Sequence, residues 1–431
     1  MSDTPAASDK AVKKESAAWL PRLGPGLITG AADDDPSGIA TYSQAGAQFG
    51  FGLLWTILLT FPLMAGIQIV SARIGRVTGH GLASTIRRHY PAWLLYCAVA
   101  LLLLANTINI AADLAAMGEA MTLIVDGPAH VYAAGFGIVS VLLQVFIPYR
   151  RYVRVLKWLT LALLAYVATV FVVRVPWTQV LAGTLLPHLS WSAAYITTVV
   201  AVFGTTISPY MFFWQASQEV EELRADPHAL PLKEAPLLAH ADLMRIKIDT
   251  FVGMGFSNLV AFFIIVTTAV TLYAHGITDI QTSAQAALAL RPLAGEFAFM
   301  LFSMGIIGTG LLAIPVLAGS AAYAISDAFG WDNSLEHDLR RAPRFYAIIA
   351  ISTLAGVELS FAPIDPIKAL YWSAVINGVI SVPIMALMML MAARPDIMGG
   401  LTITPRLKVL GWLSTGIMAL VVIAMFAVQA A

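Results

Sequence analysis

Hydrophobic residues run along this chain in stretches of membrane length, separated by short polar connections. A spanning helix needs about 20 mostly apolar residues. Eleven stretches qualify, at 24–49, 53–72, 93–124, 131–148, 153–173, 193–218, 250–273, 297–326, 345–362, 367–392 and 407–429. Two of them are interrupted in the middle. The first reads GAADDDPSGIATYSQAG over 30–46, with Asp33, Asp34 and Asp35 ahead of Pro36 and Gly38; the sixth reads GTTISP over 204–209. Proline lacks an N–H and clashes with the preceding turn, which frees carbonyls near residues 32 and 33, and Gly38 permits the φ values of unwound backbone.

Charge in such a place needs a reason. An isolated Asp at the bilayer centre costs roughly 2.5–3.5 kcal/mol, and open backbone there is tolerated only inside protein or along a cavity. An acid at a helix break is therefore a cation site in outline. The plainer alternative is a proline kink near one surface, with the aspartates wetted by headgroups. The second break, at Gly204, Thr205, Thr206, Ser208 and Pro209, weighs against it. Two interrupted helices, five spans apart and opposite in direction, are the signature of an inverted-repeat secondary transporter with its substrate near the midplane. The pattern predicts an all-α membrane protein: a tail over 1–23, five-helix repeats over 24–173 and 174–392, and an eleventh helix with the C-terminus over 393–431. A charged, proline-containing stretch, 219–249, reads as a solvated linker within the second repeat.

Composition agrees with this class. Hydrophobic residues make up 59% and charged residues 12% of the 431 positions, where a soluble domain carries about 25% charged residues. The net charge is zero, with the charges in loops and no basic patch, so nucleic acid is not an expected partner. A single cysteine, Cys97, excludes an intramolecular disulfide and a thiolate metal cluster. No nucleophile elbow, nucleotide loop or soluble domain is present, so no enzymatic activity is expected. With the N-terminus in the cytoplasm, 22 of the 25 Lys and Arg fall on the inner side, leaving Arg174, Arg291 and Lys368 outside. That split predicts an inner-membrane protein with a cytoplasmic N-terminus and an outer C-terminus.

At this point the motifs resemble a known family. GPG at 24–26, the Asp35-Pro36 break and QAGA at 44–47 look like the first helix of the NRAMP divalent-metal transporters, whose pattern is GPG…DPGN…QAGA. Residues 204–209 are similar to that family's sixth-helix GAxxMPHN pattern, and Ala112-Asp113-Leu114-Ala115 to its third-helix acidic motif. The resemblance implies proton-driven import of a transition metal held between the breaks, with the ion as cargo and no bound cofactor. It implies Asp35 as the aspartate ligand and Thr205 as the carbonyl donor. Gly38 stands at the asparagine position, Ser208 at the methionine, Tyr210 at the histidine and Met211 at the second asparagine.

These departures point one way. A thioether favours soft ions, whereas the Ser208 hydroxyl is a hard oxygen suited to Mg²⁺, Ca²⁺ or Mn²⁺. Gly38 and Ser208 open volume, so the ion can keep part of its water, as Mg²⁺ prefers. The site resembles that of the NRAMP-related magnesium transporters. No histidine falls at the midplane, so weak or absent proton coupling is expected. Asp113 is the remaining candidate acceptor, on a face shared with Asn106 and Asn109. Asn106 and Asn109 read first as helix-packing amides, and Asn377 reads equally as a packing amide or as support for the site. Asp33 and Asp34 are expected to add long-range attraction, since successive helical residues point about 100° apart. Tyr42, Ser43 and Gln44 are candidates for an outer vestibule, and Glu219, Glu221 and Glu222 for drawing cations to an inner one. The rival reading is a sodium-coupled carrier of a small organic solute such as an amino acid. A monomer is expected.

Overall fold

The computed structural model describes residues 25–147, 159–226, 228–335 and 339–430. The expected tail over 1–23, Gly24, Arg150, Arg151, Arg154, Lys157 and His337 lie outside them. Among the described residues every regular element is a helix. The main ones are α1 (Pro25–Asp33), α2 (Pro36–Phe49), α3 (Leu54–Thr78), α4 (Leu82–His89), α5 (Ala92–Thr122), α6 (Ala129–Phe146), α7 (Leu164–Val172), α8 (Trp177–Leu185), α9 (Ala193–Thr206), α10 (Pro209–Ala225), α11 (Ala239–Thr271), α12 (Ala298–Phe329), α13 (Pro343–Ser360), α14 (Pro366–Ala392) and α15 (Pro405–Ala430). Among the described residues eight helical stretches are long and apolar enough to cross a membrane. The other three expected spans correspond to the α1–α2 pair, to α7, and to α13, whose ends carry Arg344 and Glu358.

Both interruptions are real breaks, and local chemistry explains each. Asp35 is extended (φ −73°, ψ 171°) and is the N-cap of α2: its Oδ1 accepts from the Gly38 N–H at 2.7 Å, with Pro36 at the first helical position. An Asp cap followed by Pro is a strong helix start, so the sequence that stops α1 also begins α2. At the second break Ser208 (φ −88°, ψ 138°) turns the other way. Its hydroxyl donates back to the Gly204 carbonyl at 2.7 Å and sits 3.0 Å from the Thr205 carbonyl, closing the end of α9.

Helix α11 is the rail on which the first broken helix lies. A Cβ on Gly30 would stand 2.3 Å from the Gly253 carbonyl carbon, and one on Gly46 2.4 Å from the Ile265 carbonyl oxygen, so both halves approach α11 backbone to backbone. Below them the Gly26 N–H donates to Asp249 at 2.7 Å. Positions 26, 30 and 46 thus meet 249, 253 and 265 in parallel order. The second broken helix lies on α14: a Cβ on Gly204 would meet the Ala374 carbonyl oxygen at 2.0 Å, and the Ser381 hydroxyl donates to the Ile207 carbonyl exposed by the break. Thr29 of α1 donates to Gln215 of α10 at 2.6 Å, while Gln44 of α2 and Ala193 and Ala194 of α9 line one cavity. The two broken helices therefore run antiparallel and cross at their breaks.

The expected solvated linker over 219–249 is much shorter. Helix α10 continues to Ala225 and α11 begins at Ala239. The charges read as loop are instead paired: Arg245 meets Glu219 at 2.6 Å and Glu222 at 3.2 Å, Arg76 meets Asp242 at 2.6 Å, and Glu221 accepts from Tyr323 and Ser334. Paired charges let both helices extend past the apolar region that marked their ends in the sequence. The same pairing corrects the expectation that these glutamates draw cations, because Glu219 and Glu221 are buried and occupied.

Candidate functional site

The first break delivers three carboxylates into the interior, all at 2% exposure or less, so headgroup wetting is excluded. Asp35 is the best connected. Its Oδ1 is used by the cap and by the Ser37 hydroxyl at 2.7 Å. Its Oδ2 accepts from Asn109 Nδ2 at 3.1 Å and from the Tyr210 hydroxyl at 3.4 Å, which also lies 3.4 Å from the Ala32 carbonyl freed by Pro36. Both Asp35 oxygens are engaged, one by its own helix and one by the elements across the break.

Asn109 is the hub of this group. One amide N–H reaches Asp35 and the other lies 3.4 Å from Asp113 Oδ2, while its carbonyl oxygen accepts from Asn377 Nδ2 at 3.3 Å. The readings of Asn109 and Asn377 as packing amides thus give way to a chain that runs from α14 through α5 to the break. Asp113, fully buried, has only this long contact, and its Oδ1 has no partner. Asn106, on the same stripe, instead ties α5 to α12 through the Leu317 carbonyl and Ser320. Glu119 caps Ser283 on the helix Ser283–Ala287.

The other expected residues gather here too. A Cβ on Gly38 would stand 3.2 Å from the Thr205 hydroxyl, so the two breaks touch where the family pattern has an asparagine side chain. Ser208 and the Thr205 carbonyl lie against each other, with the Ser208 proton spent on backbone and its lone pairs left over. Asp34 does not join this group. With Asp33 it turns to Ser257 on α11, a residue that had no signal in the sequence beyond its spacing of four from Gly253 and eight from Asp249. Neither Tyr42 nor Ser43 lines a vestibule, since each is 1% exposed; Gln44 does. It borders a cavity of about 340 Å³ with Gln48, Thr197, Asp279, Lys368, Tyr371 and Gln429, at the end of the bundle opposite the α10–α11 connection. Toward the connection end, α1 is tied to α10 through Thr29 and Gln215 and to α11 through Gly26 and Asp249. Among the described residues every histidine lies in a loop or at a helix end, as expected.

Two antiparallel broken helices that cross beside a buried carboxylate, inside a bundle of apolar helices, define a multi-pass membrane transporter. The family model for natural resistance-associated macrophage protein-like (Nramp) sequences matches residues 26–428. The chain belongs to the Nramp family. It is similar to a divalent metal cation transporter of Chromohalobacter salexigens, 28% identical over 317 residues covering 71% of this chain and 70% of that one. One from Deinococcus radiodurans is 25% identical over 417 residues, covering 94% and 88%. Among solved structures, a manganese transporter of Eremococcus coleocola superposes with a TM-score of 0.75 at 16% identity, over all of this chain and 89% of that one. MhsT, in complex with L-phenylalanine, has the same fold at a TM-score of 0.60 and 13% identity, over 96% of this chain and 98% of that one.

Proposed function

We propose that this protein carries divalent metal cations, Mg²⁺, Mn²⁺ or both, across the membrane by alternating access, with weak or absent proton coupling. Metal as cargo is supported by family membership and by the divalent metal cation transporters among its relatives. The ion choice is supported by one observation above others. The break around Asp35 is furnished with oxygen: its own carboxylate, the Tyr210 and Ser208 hydroxyls and the Thr205 carbonyl, with amides behind them. Such a donor set favours hard ions that keep some water. In this reading Asp35 is the anionic ligand, Thr205 and Ser208 add neutral oxygens, and Gly38 lets the two breaks meet closely enough for these oxygens to converge. Asn109, Asn377 and Tyr210 orient the carboxylate. Asp113 is the residual proton acceptor, and among the described residues no imidazole stands beside it.

We assign 24–173 and 174–392 to the two repeats and 393–431 to the added helix, with the N-terminus cytoplasmic and the C-terminus outside. The cavity at Gln44 and Asp279 is then the outer vestibule, and the ties of α1 to α10 and α11 are the closed inner gate. An amino-acid carrier fits less well. The helix start of α2 that would take a substrate carboxylate is capped by Asp35 itself, whose charge repels an anion.

The test is uptake of Mg²⁺, Mn²⁺ and Ca²⁺ into proteoliposomes by wild type and Ser208→Met. The sulfur should shift preference from Mg²⁺ toward Mn²⁺; an unaltered preference contradicts the selectivity argument.

A further inference from the structure

Two acids are left over on the connection side of Asp35. Asp33 ends α1 and Asp34 lies in the break, at 0% and 2% exposure, and both face the one Ser257 hydroxyl of α11. A serine hydroxyl has a single hydrogen, so it cannot satisfy two carboxylates. Asp33 Oδ1 has no partner at all. Among the described residues neither acid makes an ion pair. Adjacent carboxylates in a low-dielectric interior without a countercharge are heavily penalised.

On α11, Thr250 Oγ1 has no partner either, and Asp33 and Thr250 are both fully buried. Native interiors pair about 90% or more of their buried polar groups. An unpaired carboxylate oxygen, with an unpaired hydroxyl on the helix it faces, is an oxygen position open to a cation.

We propose that Asp33, Asp34 and Ser257 form a second divalent-cation station, which receives the ion after Asp35 on its way to the inner side. This rests on the reading of Asp35 as the first station. The two are separate because they point to different helices: Asp35 toward Asn109 and Tyr210 on α5 and α10, Asp33 and Asp34 toward α11. Two carboxylates balance a doubly charged ion, and with a hydroxyl they form the hard-oxygen set that suits Mg²⁺ and Mn²⁺. A path with more than one site holds an ion firmly enough to admit it and weakly enough to release it.

The experiment is calorimetric titration of Mn²⁺ into the purified full-length protein in lipid nanodiscs. Wild type should take up a first and a weaker second equivalent. The Asp33→Asn/Asp34→Asn double variant should keep the first and lose the second, and Asp35→Asn should lose the first and keep the second. Ser257→Ala, which leaves the charges intact, should weaken the second only; an undiminished second equivalent in that variant overturns the station. A single equivalent in wild type that Asp35→Asn removes overturns the second station and leaves the first standing. No Mn²⁺ uptake at all overturns both.

Discussion

Asp35 is held by four donors, and only one of them, the Gly38 N–H, belongs to a regular helix cap. Asn109 contributes the donor from outside the first helix that also reaches Asp113, so its amide fixes how far apart the two carboxylates sit. Removing a partner that orients a metal ligand typically lowers affinity about 10–100-fold. Asn109→Leu is therefore expected to weaken Mn²⁺ binding by that range in a calorimetric titration, while gel filtration still shows a folded protein. An unchanged affinity contradicts the role given to Asn109. The sequence marked Asp35 because a charge beside Pro36 in an apolar run is conspicuous. It favoured helix packing for Asn109 and left Asn377 undecided for a physical reason: a buried amide looks the same whether it packs two helices or orients a carboxylate, and only the third partner distinguishes them. Ser257 was invisible for the same reason.

The helix pairs that carry the breaks meet through glycines rather than side chains. Gly204 lies so close to α14 that any Cβ overlaps the Ala374 carbonyl oxygen, and Gly30 does the same against Gly253 on α11. Overpacking of this kind costs about 1–3 kcal/mol. Gly204→Val is expected to lower the melting temperature of the detergent-solubilised protein by several degrees, more than Gly416→Val, since a Cβ on Gly416 meets no neighbour within 4 Å. Equal melting temperatures contradict the close approach. Periodicity and length located the elements well, as the agreement of 93–124 with Ala92–Thr122 and of 367–392 with Pro366–Ala392 illustrates. The ends of α10 and α11 were misjudged because Glu219, Glu222, Asp242 and Arg245 read as loop charges one at a time, whereas as pairs they extend helices.

The molecule combines a cavity at one end with ties of α1 to α10 and α11 toward the other, around a midpoint that, among the described residues, carries acids but no imidazole. With Asp113 as the remaining buried candidate acceptor beside Asp35, metal entry is expected to proceed without stoichiometric proton entry. Proteoliposomes loaded with a pH-sensitive dye should show little acidification as Mn²⁺ enters, and acidification in fixed ratio to the metal contradicts this. The inverted repeat was legible from two prolines in matching positions, because few other folds need broken helices in a bilayer. Which carboxylate faces which helix was not legible, since three consecutive aspartates differ only by where the break turns them.

The central claim is that Asp35, at the crossing of the broken helices, holds the transported ion. It is tested most directly by Mn²⁺ and Mg²⁺ uptake into liposomes containing wild type or Asp35→Asn, a change that keeps the shape and removes the charge. Saturable uptake by wild type and near-background uptake by Asp35→Asn is the expected result. Uptake by Asp35→Asn at the wild-type rate and affinity would contradict the account.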